Sequence, residues 1–201
     1  MLVHRFLTQQ EYQVESVEDG KTAFVVFKKF QPDLVVLDIN LPDITGFQLC
    51  QDMQSYNDVL VLILSSRCDE ETIVLAFQSG ADGYLTKPFS LVGLGALMRA
   101  ILKRQRLASN RKLDQLVFGD LVINSTIREV KFKNKIVALT NTEFDFLFCM
   151  ANKPGYVWKR SELCEEVFGN WYGIEKVCDV HISNIRKKFK NCGCDFEYIK
   201  T

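Results

Sequence analysis

Asp33-Leu-Val-Val-Leu-Asp38 and Asp58-Val-Leu-Val-Leu-Ile-Leu-Ser65 are two short apolar runs, each ending on a polar side chain. Apolar residues at successive positions fit strands covered on both faces, as in a parallel sheet; half-solvated strands alternate instead. Pro42 and Gly46 mark a loop between the runs, and Phe47 to about Tyr56 reads as a helix. A further helix, Glu70 to Ser79, is stopped by Gly80 at a C′ position that favours glycine. Then follow a short strand Gly83-Tyr-Leu-Thr86, the pair Lys87-Pro88, and a helix from about Leu91 to Arg104. Strands alternating with helices predict an α/β doubly wound parallel sheet whose ligand site lies at the carboxyl ends of its strands.

Asp38, Ser65 and Lys87 fall at such strand ends. A carboxylate after an apolar run, taken alone, reads more readily as a turn or cap residue. With a hydroxyl and an ammonium converging on it, the carboxylate becomes a candidate nucleophile toward phosphorus. The other two groups can then hydrogen-bond the incoming phosphoryl oxygens. The three together predict a phosphoryl-acceptor site.

The 201 residues favour two small domains over one large one. With 47% apolar and 25% charged residues, disordered and collagen-like architectures are excluded. The apolar runs are too short to span a bilayer, and no secretory signal is read at the start, so no membrane partner is expected. Seven scattered cysteines without a C-x-x-C pair read as buried thiols in a reducing compartment, rather than as zinc ligands or disulfides. The net charge of zero hides an asymmetry. Residues 1–103 carry 8 basic and 13 acidic side chains, residues 104–115 carry 4 and 1, and residues 116–201 carry 13 and 11. Only the second half is suited to a polyanion.

Between the halves, Lys103-Arg-Gln-Arg106 through Asn110-Arg-Lys112 is polar and basic. It reads equally as a solvated tether and as a linker that attracts a phosphate backbone. Beyond it, Leu116–Ile123, Glu129–Phe132 and Lys135–Leu139 alternate as short strands. Thr140-Asn-Thr-Glu143 opens a helix as a capping box, and Ser161 is expected to open a second. A third helix runs from about Ile174 to Lys190, with Cys178, Ile182, Ile185 and Phe189 as its buried stripe. Lys176, Val180, Ser183 and Lys187, joined by His181, Asn184 and Lys188, then form its exposed side. Such a mix of amide, hydroxyl, aliphatic and cationic side chains suits a helix in the DNA major groove, although a charged helix face alone is usually just solvated.

Asp38-Ile-Asn-Leu-Pro42 with Gly46, Leu64-Ser-Ser-Arg67 and Gly80-Ala-Asp-Gly-Tyr-Leu-Thr-Lys-Pro-Phe89 resemble the receiver domain of OmpR/PhoB-family two-component response regulators. Leu139-Thr-Asn-Thr-Glu-Phe144, Arg160-Ser-Glu-Leu163 and Val177-Cys-Asp-Val-His-Ile-Ser-Asn-Ile-Arg-Lys-Lys188 resemble the family's winged helix-turn-helix DNA-binding domain. The resemblance implies a receiver over 1–103, a linker over 104–115 and a DNA-binding domain over 116–201. It implies phosphorylation at Asp38, a switch pair of Ser65 and Tyr84, a phosphoryl contact from Lys87 and a cis bond before Pro88. Mg²⁺ would be held by Asp38 and the backbone carbonyl of Asn40. Lys176, Val180, His181, Ser183 and Asn184 would face bases, with Arg186 and Lys187 on the DNA backbone. A transcription regulator rather than an enzyme is implied, with double-stranded DNA, a sensor histidine kinase and a second copy of the receiver as partners.

The sequence also departs from that pattern. Met1-Leu-Val-His-Arg-Phe-Leu7 matches the middle of the family's first helix, so the preceding strand and its magnesium-binding acidic pair are expected to be missing through a misplaced start or a fragment. With few carboxylates, Mg²⁺ is expected to bind weakly. Loss of a central strand would bare apolar edges. Tyr198-Ile-Lys-Thr201 stands where the family continues into its wing hairpin, so poor DNA binding is expected. The receiver's dimerisation face matches Ile73, Gln78, Asp82, Gly83, Gly93 and Leu97, where only Asp82 is charged. Dimerisation should therefore be weak or apolar. A degenerate regulator that escapes phosphorylation is the competing reading. Similarity to plastid-encoded regulators of red algae places the chain in a plastid stroma, with a bacterial cytoplasm as the alternative.

Overall fold

The computed structural model describes residues 2–57, 59–109, 115–169, 175–194 and 196–200, and the side chains within those spans except at 104–109. The chain divides into two compact units, Met1–Leu102 and Lys103–Thr201.

The first unit is built from α1 (Leu2–Gln9), α2 (Gly20–Phe30), β1 (Leu34–Asp38), α3 (Gly46–Tyr56), β2 (Leu60–Ser65), α4 (Glu70–Gln78), β3 (Gly83–Thr86) and α5 (Leu91–Ser109). Its sheet is parallel throughout, in the order β1-β2-β3. Every residue of the central strand β2 is buried, which is why that run shows no alternation. Leu60, Leu62 and Leu64 pack on one face with Leu7, Leu94, Met98 and Ile101 from α1 and α5. Val61 and Ile63 pack on the other with Phe27, Leu49, Met53 and Ala76 from α2, α3 and α4. Among the described residues β1 pairs with β2 alone, and its Leu34, Val35 and Val36 are half-buried. Helix α5 runs to Ser109, beyond the expected end at Arg104, so the start of the basic stretch is helical; residues 110–114 lie outside the described residues.

Local chemistry fixes the helix starts. Asp19 caps α2 through Thr22 N (2.8 Å), and Thr45 caps α3. Asp69 caps α4, accepting from Thr72 N at 2.9 Å and Thr72 Oγ1 at 2.7 Å. The Thr72 hydroxyl foremost, with its backbone N–H and Arg67 behind, holds the Asp69 carboxyl at about 2, below its ordinary value of 3.8. A depressed carboxyl stabilises the fold above its unfolded pKa, so this cap's contribution is full above pH ~4 and vanishes as pH falls through about 2. NMR titration of the Asp69 carboxyl should show this low midpoint, and Thr72→Ala should raise it; a midpoint near 4 in the parent chain would refute the cap.

The second unit begins with an antiparallel meander of β4 (Gln115–Phe118), β5 (Leu121–Asn124), β6 (Glu129–Phe132) and β7 (Lys135–Ile136). Lys133 and Asn134 both adopt positive φ in the β6–β7 turn, as a two-residue hairpin loop demands. Helices α6 (Asn141–Ala151), α7 (Arg160–Phe168) and α8 (Lys176–Asn191) cover the sheet. The Thr140–Glu143 capping box forms as expected. The second helix opens one residue before Ser161, after Lys159, without a side-chain cap. Residues 170–174, where the third helix was expected to begin, lie outside the described residues.

Candidate functional site

Parallel register builds the first site. Pairing of Asp38 with Leu64 and of Ser65 with Thr86 sets the carboxyl ends of three strands side by side. Lys87, one residue past β3, forms an ion pair from Nζ to Asp38 Oδ2, while Asp38 Oδ1 accepts from Asn40 N at 3.0 Å. Lys87 N donates to Ser65 O at 2.7 Å, so the backbone that carries the ammonium is anchored to the strand that carries the hydroxyl. The bond between Lys87 and Pro88 is cis.

Ser65 is fully buried, and its Oγ accepts from Arg67 N at 3.0 Å. That bond uses a lone pair and leaves the hydroxyl hydrogen available as a donor. Tyr84 Oη donates to Arg67 O at 2.7 Å, on the same residue whose N–H bonds the Ser65 hydroxyl. Burial, more than any neighbour, pushes the Tyr84 phenol above its ordinary value. All four sequence-predicted residues thus meet at one place. A role for Gly46 beyond ending a loop was not legible in the sequence: a Cβ there would lie 2.3 Å from the Asp38 carbonyl oxygen, so the loop closes under Asp38 only with glycine.

Magnesium fares differently. Asp43 turns away to α2, accepting from Gly20 N at 2.8 Å and Lys21 N at 2.9 Å; the Gly20 bond above all draws its carboxyl below the ordinary value. Asp19 is spent on the cap of α2. Among the described residues no group of three acidic, His or Cys side chains could hold a metal. One carboxylate, already paired with an ammonium, and the Asn40 carbonyl do not meet the near-octahedral demand of Mg²⁺.

On α8, Lys176, Ser183 and Lys187 are exposed and Asn184 is half-buried. Four expectations need correction. His181 is 1% exposed and stacks on Phe146, ring centroids 4.9 Å apart, so it belongs to the packing between helices. Val180 is buried beside it. Arg186 donates to the Ile199 carbonyl at 2.8 and 3.2 Å, tying α8 to the C-terminal segment rather than offering its charge outward. Lys188, placed on the exposed side by periodicity, reaches the buried Glu143 at 2.5 Å. Asp179 is an exposed residue that the sequence reading passed over; it pairs with Arg160 at 2.7 Å.

Asp82 also moves. It is 1% exposed and accepts from Val61 N at 2.8 Å, so it lies inside the fold rather than on a dimerisation face. Gly83 is buried too.

Two family models match the chain: the response regulator receiver domain over residues 1–99, and the C-terminal domain of transcriptional regulatory proteins over 133–201. An uncharacterized transcriptional regulatory protein of Bacillus subtilis, YclJ, is 32% identical over 98% of this chain and 88% of its own length. The heme response regulator HssR of Staphylococcus aureus is 34% identical over 85% of the chain and 75% of its own. A solved structure of a RitR mutant superposes with a TM-score of 0.74 over 99% of this chain and 88% of that one; at 23% identity it speaks to fold alone. No helix among the described residues is long and apolar enough to cross a membrane. The strand-end acid, hydroxyl and ammonium, the helical unit that follows and these relatives make the chain a member of the OmpR/PhoB-type two-component response regulators, transcription regulators that join a receiver to a DNA-binding domain.

Proposed function

We propose that Asp38 accepts a phosphoryl group passed on by a sensor histidine kinase, and that residues 116–201 bind double-stranded DNA through α8. The receiver then spans 1–103 and the linker 104–115. The observation that carries the reading is the register-imposed meeting of Asp38, Ser65 and Lys87. Lys87 holds the Asp38 carboxylate in place, and the Ser65 and Lys87 donors stand ready for the oxygens that arrive with the phosphoryl group. Tyr84, joined to Ser65 through Arg67, is suited to follow that hydroxyl when it turns. This is stoichiometric self-modification, not turnover of a small substrate. Mg²⁺ would supply neutralisation of phosphoryl charge, and the described carboxylates do not build its site. That same donor set supports a second reading, a regulator that escapes phosphorylation and binds DNA constitutively or not at all. Incubation with phosphoramidate, with and without Mg²⁺, separates them: modification at Asp38 supports the first, an unmodified chain the second.

On the DNA side, Lys176, Ser183, Asn184 and Lys187 remain the proposed contacts. Lys187→Ala should weaken low-salt gel shifts about equally across DNA sequences and lower the salt slope by about one. Unchanged affinity and slope would count against this face.

For the second copy, we place the contact on α4, β3 and α5, where Leu75 and Val92 are exposed and Asp82 is withdrawn. Sedimentation with a phosphoryl mimic should show weak association that persists in high salt. A tight dimer that salt dissociates would contradict it. The bacterial relatives support a bacterial cytoplasm over a plastid stroma as the location.

A further inference from the structure

Every residue of the loop from Ser66 to Asp69, between β2 and α4, is exposed, Cys68 included, contrary to the expectation of uniformly buried thiols. Arg67 in this loop reaches in two directions. Its N–H donates to Ser65 Oγ at 3.0 Å and its carbonyl accepts from Tyr84 Oη at 2.7 Å. The backbone of Arg67 is thereby pinned beside two residues of the phosphoryl site. Its guanidinium rests on Asp69, donating from Nε to Oδ2 at 3.1 Å and from Nη2 to Oδ1 at 3.3 Å.

That resting place holds lightly. The two side chains are 59% and 45% exposed, and ion pairs so open to water add little. Asp69 does not depend on Arg67 either. Its Oδ1 also accepts from Thr72 N and Thr72 Oγ1, and the Thr72 hydroxyl is the main influence lowering its pKa, ahead of Arg67. The guanidinium can leave without stranding its partner.

The phosphoryl site has a use for a second cation. Before transfer, the Asp38 carboxylate faces the Lys87 ammonium, one charge against one. Transfer replaces the single carboxylate charge with nearly two on the phosphoryl oxygens, so about one is left uncovered. Among the described residues no cluster of acidic side chains is built to hold a divalent cation there. Arg67 lies within reach. A phosphoryl oxygen bonded to Ser65 Oγ stands no more than about 6 Å from Arg67 N, because that N–H and that hydroxyl are themselves 3.0 Å apart. An extended arginine side chain spans such a distance, and its planar fork matches two phosphoryl oxygens.

We propose that Arg67 is a further residue of the phosphoryl site. Its guanidinium leaves Asp69, binds the phosphoryl oxygens during transfer and covers, with Lys87, the charge that arrives. Asp38 attacks phosphorus in an N-phosphorylated donor; the O–P bond forms and the P–N bond breaks. With phosphoramidate, whose nitrogen is protonated at neutral pH, ammonia is the leaving group. The inference rests on Asp38 as the acceptor proposed above.

The test treats the full chain with phosphoramidate in excess EDTA and, separately, in Mg²⁺, and follows Asp38 by mass spectrometry. The parent is expected to be modified in EDTA. Arg67→Ala should slow that reaction about 100-fold, the ordinary effect of removing one donor to developing charge. Arg67→Lys keeps the charge without the fork and should recover part of the rate. Asp69→Asn frees the guanidinium, keeps a capping side chain and should not slow transfer. In NMR spectra of the parent, the Arg67 Nε–H signal should move on modification. Modification of the parent only with Mg²⁺, or equal EDTA rates for the parent and Arg67→Ala, would overturn the proposal and leave Asp38 as acceptor. No modification under either condition would sink the acceptor itself. Inorganic phosphate then decides Arg67: its Nε–H signal must shift on titration while that of the exposed Arg99 stays, and no such difference would remove Arg67 from the site.

Discussion

Asp38→Asn is expected to abolish phosphoryl transfer from phosphoramidate to this chain completely, leaving the fold intact. The amide matches the carboxylate in shape and keeps an oxygen for Asn40 N, which lies 3.0 Å from Oδ1. It lacks the anionic oxygen that must attack phosphorus. The lost ion pair with Lys87 is about one-third exposed on both sides, so it is worth at most about 1 kcal/mol. Unfolding curves of parent and variant should therefore nearly coincide while modification disappears. Asp43→Asn is the control: that carboxylate is committed to the start of α2 and should leave transfer unaffected. Residual modification of the Asn variant would place the acceptor elsewhere.

Phe146→Ala should cause the largest loss of stability, about 3–5 kcal/mol, because it empties a fully buried aromatic site. The ring stacks on His181 of α8 and meets Phe168 of α7 edge-on at 5.6 Å, so one side chain of α6 braces both neighbouring helices. In a unit of this size such a loss lowers the melting temperature by roughly 10–25 °C. Phe146→Leu, which keeps most of the volume, should cost about 1–1.5 kcal/mol. The DNA affinity of the Ala variant should fall with it, since the seat of α8 is lost. A cost below 1 kcal/mol for Phe146→Ala would mean the three helices are held together some other way.

The two predictions test different kinds of knowledge. Asp38, Ser65 and Lys87 could be found in the sequence because each ends or follows a local signal: an unalternating apolar run, another such run, and a short strand closed by Lys87-Pro88. Parallel pairing then places the ends of successive strands together without any further information. The Thr140–Glu143 cap and the stop at Gly80, with φ of 97°, were legible for the same reason: their partners lie within one helical turn.

Helix α8 shows where that reasoning ended. A period of 3.6 residues identified Cys178, Ile182, Ile185 and Phe189 as an inward stripe, but it could not give the stripe's width. α8 packs on both α6 and α7, so Val177, Val180 and His181 are buried as well. Arg128, in the β5–β6 turn, was equally silent in the sequence. It binds Asn141 and Asp145 and lies over the Phe144 ring, clamping the meander to α6. Asp82 looked like a surface charge and is instead an internal acceptor for Val61 N.

The sequence alone determined the alternation of strands and helices, the strand-end positions of Asp38, Ser65 and Lys87, and the inward stripe of α8, because these follow from the chain's own periodicity and nearest neighbours. Tertiary structure decided which polar side chains of that helix remain outside and that Glu143 receives Lys188. Those outcomes depend on side chains distant in sequence, and a helix records which way a residue points but not what stands opposite it.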